Sequence, residues 1–105
     1  MHWLLLYDLA PDYLERRPEF RAEHLTLARE SHARGDLLLA GALSDPYDAA
    51  VLLFTSGLAA ARFAEADPYV LHGLVTKWTV RAWNTVVGEG TIPPDPAGAR
   101  GPSGP

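Results

Sequence analysis

The chain is predicted to be an α+β domain of the ferredoxin-like type, βαββαβ, with an antiparallel sheet carrying two helices on one face. Three features predict it. Four short apolar runs, at 3–9, 37–43, 49–55 and 74–83, read as strands. Two stretches with helix start and stop signals lie after the first and the third of them. The turn signals fall between the remaining segments, so strands and helices take the order that this fold requires.

The elements follow in order. "WLLLYDL" (3–9) is apolar with aromatics, as a buried strand is. A first helix is expected from Pro18 to Arg34, with the proline in its first turn and Gly35 stopping it. "LLLAGAL" and "AAVLLFT" are strands joined by "SDPYD", whose Ser, Asp and Pro suit a turn. Ser56 caps a second helix, Gly57 to Ala66. A second Asp-Pro-Tyr turn at Asp67 leads into the last strand, "LVTKWTVRAW". Gly41, inside a strand, predicts a bulge or the close approach of a ligand or backbone.

The strands do not alternate between apolar and polar. Trp3, Leu5 and Tyr7 lie on one face of the first strand, and Leu4 and Leu6 on the other. Leu37 to Leu39 and Val51 to Phe54 repeat the pattern. Two helices cover one face only, so the second face predicts a homodimer with sheets packed face to face. A domain of this size buries only roughly 60–65% of its unfolded surface and gains from such a partner. Residues 1–87 form the expected folded domain. Residues 88–105, with five Gly and five Pro, form an expected flexible tail.

Composition excludes several classes of function. With 48% hydrophobic and 21% charged residues the chain reads as an ordinary soluble domain. A net charge of −4 and a single lysine, Lys77, argue against nucleic-acid partners. There is no cysteine, which excludes disulfides and thiolate chemistry and fits a cytoplasmic protein. The apolar N-terminus is too short to span a membrane and lacks a basic leader, so no membrane association is expected. His2, His24, His32 and His72 have no metal-ligand spacing, and no phosphate-cradling glycine loop exists. No metal and no cofactor is expected.

The polar residues that remain are few. At about 100° per residue, His24 shares one helix side with Phe20, Leu27, Ala28 and Ser31. It is either a core histidine satisfied by a hydrogen bond or an imidazole lining a pocket, suited to acid–base work near neutral pH. Arg21 and Arg17 precede it by three and seven positions, as solvated surface or as a clamp for an anion. Asp67 has its own control in Asp45, since both open an Asp-Pro-Tyr triplet. Each can cap a helical turn. Only Asp67 starts a connection that could return toward the first helix, where a carboxylate would orient His24.

Together, "LERRPEFRAEHL" (14–25), "GDLLLAGAL" (35–43) and "FAEADPYV" (63–70) resemble the YCII-related (YciI-like) proteins, over about residues 3–84. The family pattern is L-E-x-R-x-x-x-R-x-x-H-L, then G-x-L-L-x-A-G-P-L, then A-D-P-Y. Ala42 stands where the family has proline. The resemblance implies a dimeric α+β barrel and a catalytic pair at His24 and Asp67. It also implies a pocket in which Arg21, Gly41 and Tyr69 contact a small-molecule substrate. Relatives include a dehydrochlorinase of chlorinated hydroxyquinols, and the wider superfamily includes muconolactone isomerase. The function so implied is a cofactor-independent lyase or isomerase working by proton transfer. A non-catalytic binding or accessory protein with the same pocket is the alternative.

Overall fold

The computed structural model describes residues 1–91. Its elements are β1 (His2–Leu9), α1 (Tyr13–Ala33), β2 (Leu37–Ala42), β3 (Ala49–Phe54), α2 (Gly57–Ala66), α3 (Pro68–Leu71) and β4 (Val75–Trp83). The four strands form one sheet in the order β2-β3-β1-β4, antiparallel at every pairing. This is the ferredoxin-like α+β architecture. The extra α3 is a single turn that replaces the loop expected after Asp67.

Strand register decides which side chains meet. Leu5 stands opposite Leu52 on one side and Val80 on the other, and Tyr7 opposite Ala50 and Trp78. Residues directly opposite share a face, so these form the helix-covered side. Leu5, Leu52, Phe54 and Tyr7 are almost wholly buried there, with Phe63 and Leu74 beside them. α2 lies close because its inner stripe is small: Ala60 and Ala64 have no exposure at all. Its first residue, Gly57, abuts Trp3, where a Cβ would come within 2.8 Å of the indole. Ser56 caps α2 as expected, its Oγ accepting from the Ala59 N–H at 3.0 Å.

α1 starts at Tyr13, five residues before the proline expected to open it. Pro18 removes one helical hydrogen bond, a cost that packing outweighs here. Tyr13 is buried, and its ring meets that of Tyr69 edge-on, centroids 5.7 Å apart. The helix ends as expected: Gly35 has φ +85°, and the Asp36 N–H reaches back to the Ser31 carbonyl.

The other sheet face carries Leu4, Leu6, Val51 and Leu53, all half-buried, and Leu39, which is 71% exposed. The irregular register in β2 falls between Leu37 and Leu39, not at Gly41. Gly41 pairs regularly with Val51, and nothing would contact a Cβ there. Beyond β4 the chain returns to β1. The N-terminal ammonium donates to the Gly90 carbonyl at 2.8 Å, and His2 Nδ1 lies 2.7 Å from Thr85 Oγ1. Most of the expected tail, residues 92–105, lies outside the described residues. No helix among the described residues is long and apolar enough to cross a membrane.

Candidate active site

His24 and Asp67, 43 positions apart, meet under α1. α3 begins at Pro68, with Asp67 as its cap: Asp67 Oδ1 accepts from the Tyr69 N–H at 3.0 Å. The same oxygen lies 2.8 Å from His24 Nδ1. The second oxygen, Oδ2, accepts from the Tyr7 hydroxyl at 2.7 Å. Cap and histidine partner are thus one carboxylate. It has no solvent exposure, and its donors supply what water would have given.

This geometry also assigns the tautomer. A carboxylate only accepts, so Nδ1 of the imidazole carries the proton and donates it to Asp67. In the neutral ring Nε2 then keeps its lone pair. No hydrogen-bonding partner engages Nε2 among the described residues. The ring is further held between aromatic neighbours. Tyr69 stacks on it at 3.9 Å with planes 7° apart, and Phe63 meets it edge-on.

His24 lines a cavity of about 270 Å³ between α1, the sheet and the loop before β3. Arg17 and Arg21 line it from α1, and Gly41 from β2. All four tyrosines of the chain, Tyr7, Tyr13, Tyr47 and Tyr69, contribute to its wall. Their chemistry differs. Burial, then the Asp67 charge and its hydrogen bond, push the Tyr7 hydroxyl far above the ordinary tyrosine range. Tyr69 is pushed up to about 12, chiefly by burial, with Arg21 and Arg17 pulling the other way. Both are neutral donors at physiological pH. Among the described residues no three His, Asp or Glu side chains come together as metal ligands would.

The family model of the YCII-related domain matches residues 1–84. The chain belongs to the YCII-related family. A search of curated proteins finds no match. Among solved structures, the chain is similar to 5-chloro-2-hydroxyhydroquinone dehydrochlorinase from Burkholderia phenoliruptrix, in complex with 2,5-dihydroxybenzoquinone. The two share 20% identity with a TM-score of 0.65, over 88% of this chain and all of the other. At that identity the likeness is one of fold.

In this YCII-related domain the residues expected from sequence converge. His24, Arg21, Gly41 and Tyr69 all line the cavity, and Asp67 lies behind His24. Gly41 does so on the strand edge without a bulge, one of the two features expected there, the other being the close approach of a ligand or backbone. Asp45 goes elsewhere: it is exposed, with φ +56° in the β2–β3 turn. Three wall tyrosines were not expected at the site from sequence, namely Tyr7, Tyr13 and Tyr47. Tyr47 carried a signal, since it closes the other Asp-Pro-Tyr triplet. Both triplets therefore deliver their tyrosine to one cavity, although only one delivers its aspartate.

Proposed function

We propose that this YCII-related protein is a small-molecule enzyme of the lyase or isomerase type that transfers a proton through His24. The observation that carries this reading is the His24–Asp67 contact at the cavity wall, which holds Nδ1 protonated and leaves Nε2 to act as base. Asp67 orients the ring and stabilises the imidazolium that forms. In an elimination, Nε2 takes a proton from the substrate. The electron pair left behind forms the new double bond, and the leaving group departs with its own pair. In an isomerisation the same proton returns to a different atom. Neither course consumes an oxidant or reductant, so the reaction is proposed to be cofactor-independent.

The likeness in fold to a dehydrochlorinase supports the choice of reaction class. Arg21 is proposed to bind an anionic or phenolic group, with Gly41 and Tyr69 contacting the substrate. Self-association through the open sheet face, where Leu4, Leu6, Val51 and Leu53 cluster, completes the proposal of a cytoplasmic homodimer.

The test is a turnover screen over halogenated and hydroxylated single-ring compounds, comparing wild type with His24→Ala and Asp67→Asn. His24→Ala should lose about 10²-fold or more in kcat/KM. Unchanged turnover removes His24 from the mechanism. Binding without turnover in wild type, weakened in His24→Ala, identifies a binding module instead.

A further inference from the structure

Tyr7 occupies a place where phenylalanine would serve packing equally well. It lies on the helix-covered face of β1, opposite Ala50 and Trp78, and is only 2% exposed. In such a core a hydroxyl costs desolvation unless it is paired. The pair it makes is with Asp67 Oδ2 at 2.7 Å, the length of a hydrogen bond to a charged oxygen.

A second observation is how three donors divide between the two oxygens of Asp67. Oδ1 takes the His24 Nδ1 proton and the Tyr69 N–H, at 2.8 and 3.0 Å. Those two occupy its lone pairs. Oδ2 has Tyr7 alone among the described residues. The side chain has no solvent exposure, so bulk water does not reach it. Tyr7 therefore fixes the rotation of the carboxylate that in turn fixes the imidazole. It also draws negative charge toward Oδ2 and away from His24.

We infer that Tyr7 is a positioning residue that acts on His24 through Asp67, lowering the affinity of the imidazole for a proton so that Nε2 stays free to act as base. This rests on the proposed function, in which His24 Nε2 is that base. The sign follows from the two protonation states. With His24 neutral, the carboxylate keeps its full charge and the Tyr7 bond is strong. With Nε2 protonated, the imidazolium draws that charge toward Oδ1 and the Tyr7 bond weakens. The hydroxyl thus stabilises the neutral state more, as polarised chains of hydrogen bonds do. Tyr7 itself keeps its proton, because burial and then the Asp67 charge push the hydroxyl far above the ordinary tyrosine range.

The other groups around the imidazole are the same with or without this bond. Arg17, Arg21 and Tyr13 line the cavity from α1, Tyr47 from the loop before β3 and Tyr69 from α3. The strands add no titratable side chain to the lining beyond Tyr7, and α2 meets the ring through Phe63. The two guanidiniums also oppose protonation of His24, so the effect of Tyr7 is read as a difference between variants that keep both.

The experiment is a ligand-free NMR pH titration of His24 in wild type, Tyr7→Phe, Asp67→Asn and Asp45→Asn. Tyr7→Phe should raise the midpoint by roughly half a pH unit. Only part of a charged hydrogen bond, worth roughly one to two pH units in all, differs between the two states. Asp67→Asn should lower the midpoint, because the imidazolium loses its counter-charge, and Asp45→Asn should leave it in place. General loosening of the site would move Tyr7→Phe and Asp67→Asn in the same direction. As a variant that keeps the ring and the bond, 3-fluorotyrosine incorporated at position 7 donates more strongly and should lower the midpoint. It carries the test alone if Tyr7→Phe does not fold.

A midpoint unchanged or lowered in Tyr7→Phe, or unchanged or raised by the fluorinated ring, overturns the role of Tyr7 and leaves the His24–Asp67 pair standing. A His24 that ignores Asp67→Asn overturns both. With a substrate from the turnover screen, the acidic limb of kcat/KM should move to higher pH in Tyr7→Phe while the plateau at high pH remains. A uniform loss at every pH, with the limb in place, is what a purely structural tyrosine gives, and it overturns the proposal.

Discussion

At the scale of single residues, Asp67 joins three segments that sequence places far apart. Its oxygens hold β1 through Tyr7, α1 through His24, and the first turn of α3 through Tyr69 N–H. Tyr7→Phe removes one hydrogen bond to a buried carboxylate and should cost about 1.5–3 kcal/mol, read from urea unfolding at neutral pH. Two of the buried tyrosines, Tyr7 and Tyr69, also give a pH signature. An unfolded tyrosine loses its proton near pH ~10. Folded Tyr69 holds it to about 12, chiefly because it is buried, and Tyr7 holds it longer still, again chiefly by burial. The folded state binds these protons more tightly, so this stability is complete below about pH 10 and is lost as pH rises through the folded values. Urea midpoints should fall over that window in wild type and fall less in Tyr69→Phe. An equal fall in both would remove Tyr69 as a cause.

At the scale of elements, close approach rather than propensity sets the stability of the helices. Gly57→Ala forces a methyl to within 2.8 Å of Trp3, and overpacking of this kind costs about 1–3 kcal/mol. Gly41→Ala is the control, since its Cβ would meet nothing within 4 Å. Thermal melts should therefore separate two substitutions that look identical on paper. Ser56→Ala should cost about 0.5–2 kcal/mol by releasing the Ala59 N–H from its cap. α1 shows the same priority of packing over local preference. Tyr13 against Tyr69 draws the helix back past Pro18, a residue that sequence rules place at a helix start.

At the scale of the whole molecule, the sheet has one covered face and one open face. The open side carries Leu39, Leu53, Val51, Leu4 and Leu6, a run of aliphatics that a monomer would leave in water. Sedimentation at micromolar concentration should give the mass of two chains, and Leu53→Arg should give the mass of one with unchanged circular dichroism. A wild-type mass of one chain would end the homodimer proposal. The candidate site lies on the other side, under α1, so Leu53→Arg also asks whether the cavity functions in a single chain.

Sequence by itself determined the order of elements and most of their ends, because caps and stops are local chemistry. Ser56 and Gly35 act within a few residues of where they stand. It also brought His24, Asp67, Arg21, Gly41 and Tyr69 into consideration, since motif spacing survives in one dimension. Tertiary structure alone decided what those residues do to each other. It distinguished Asp67 from Asp45, two aspartates in the same triplet, by folding one against α1 and leaving the other in an exposed turn. It brought Tyr7 and Tyr13 to the cavity, although on the sequence one read as a strand's core face and the other as chain before a helix. The physical reason is that hydrogen bonds to a buried carboxylate form between surfaces packed by the sheet register and the helix crossing, and neither is encoded within any one segment.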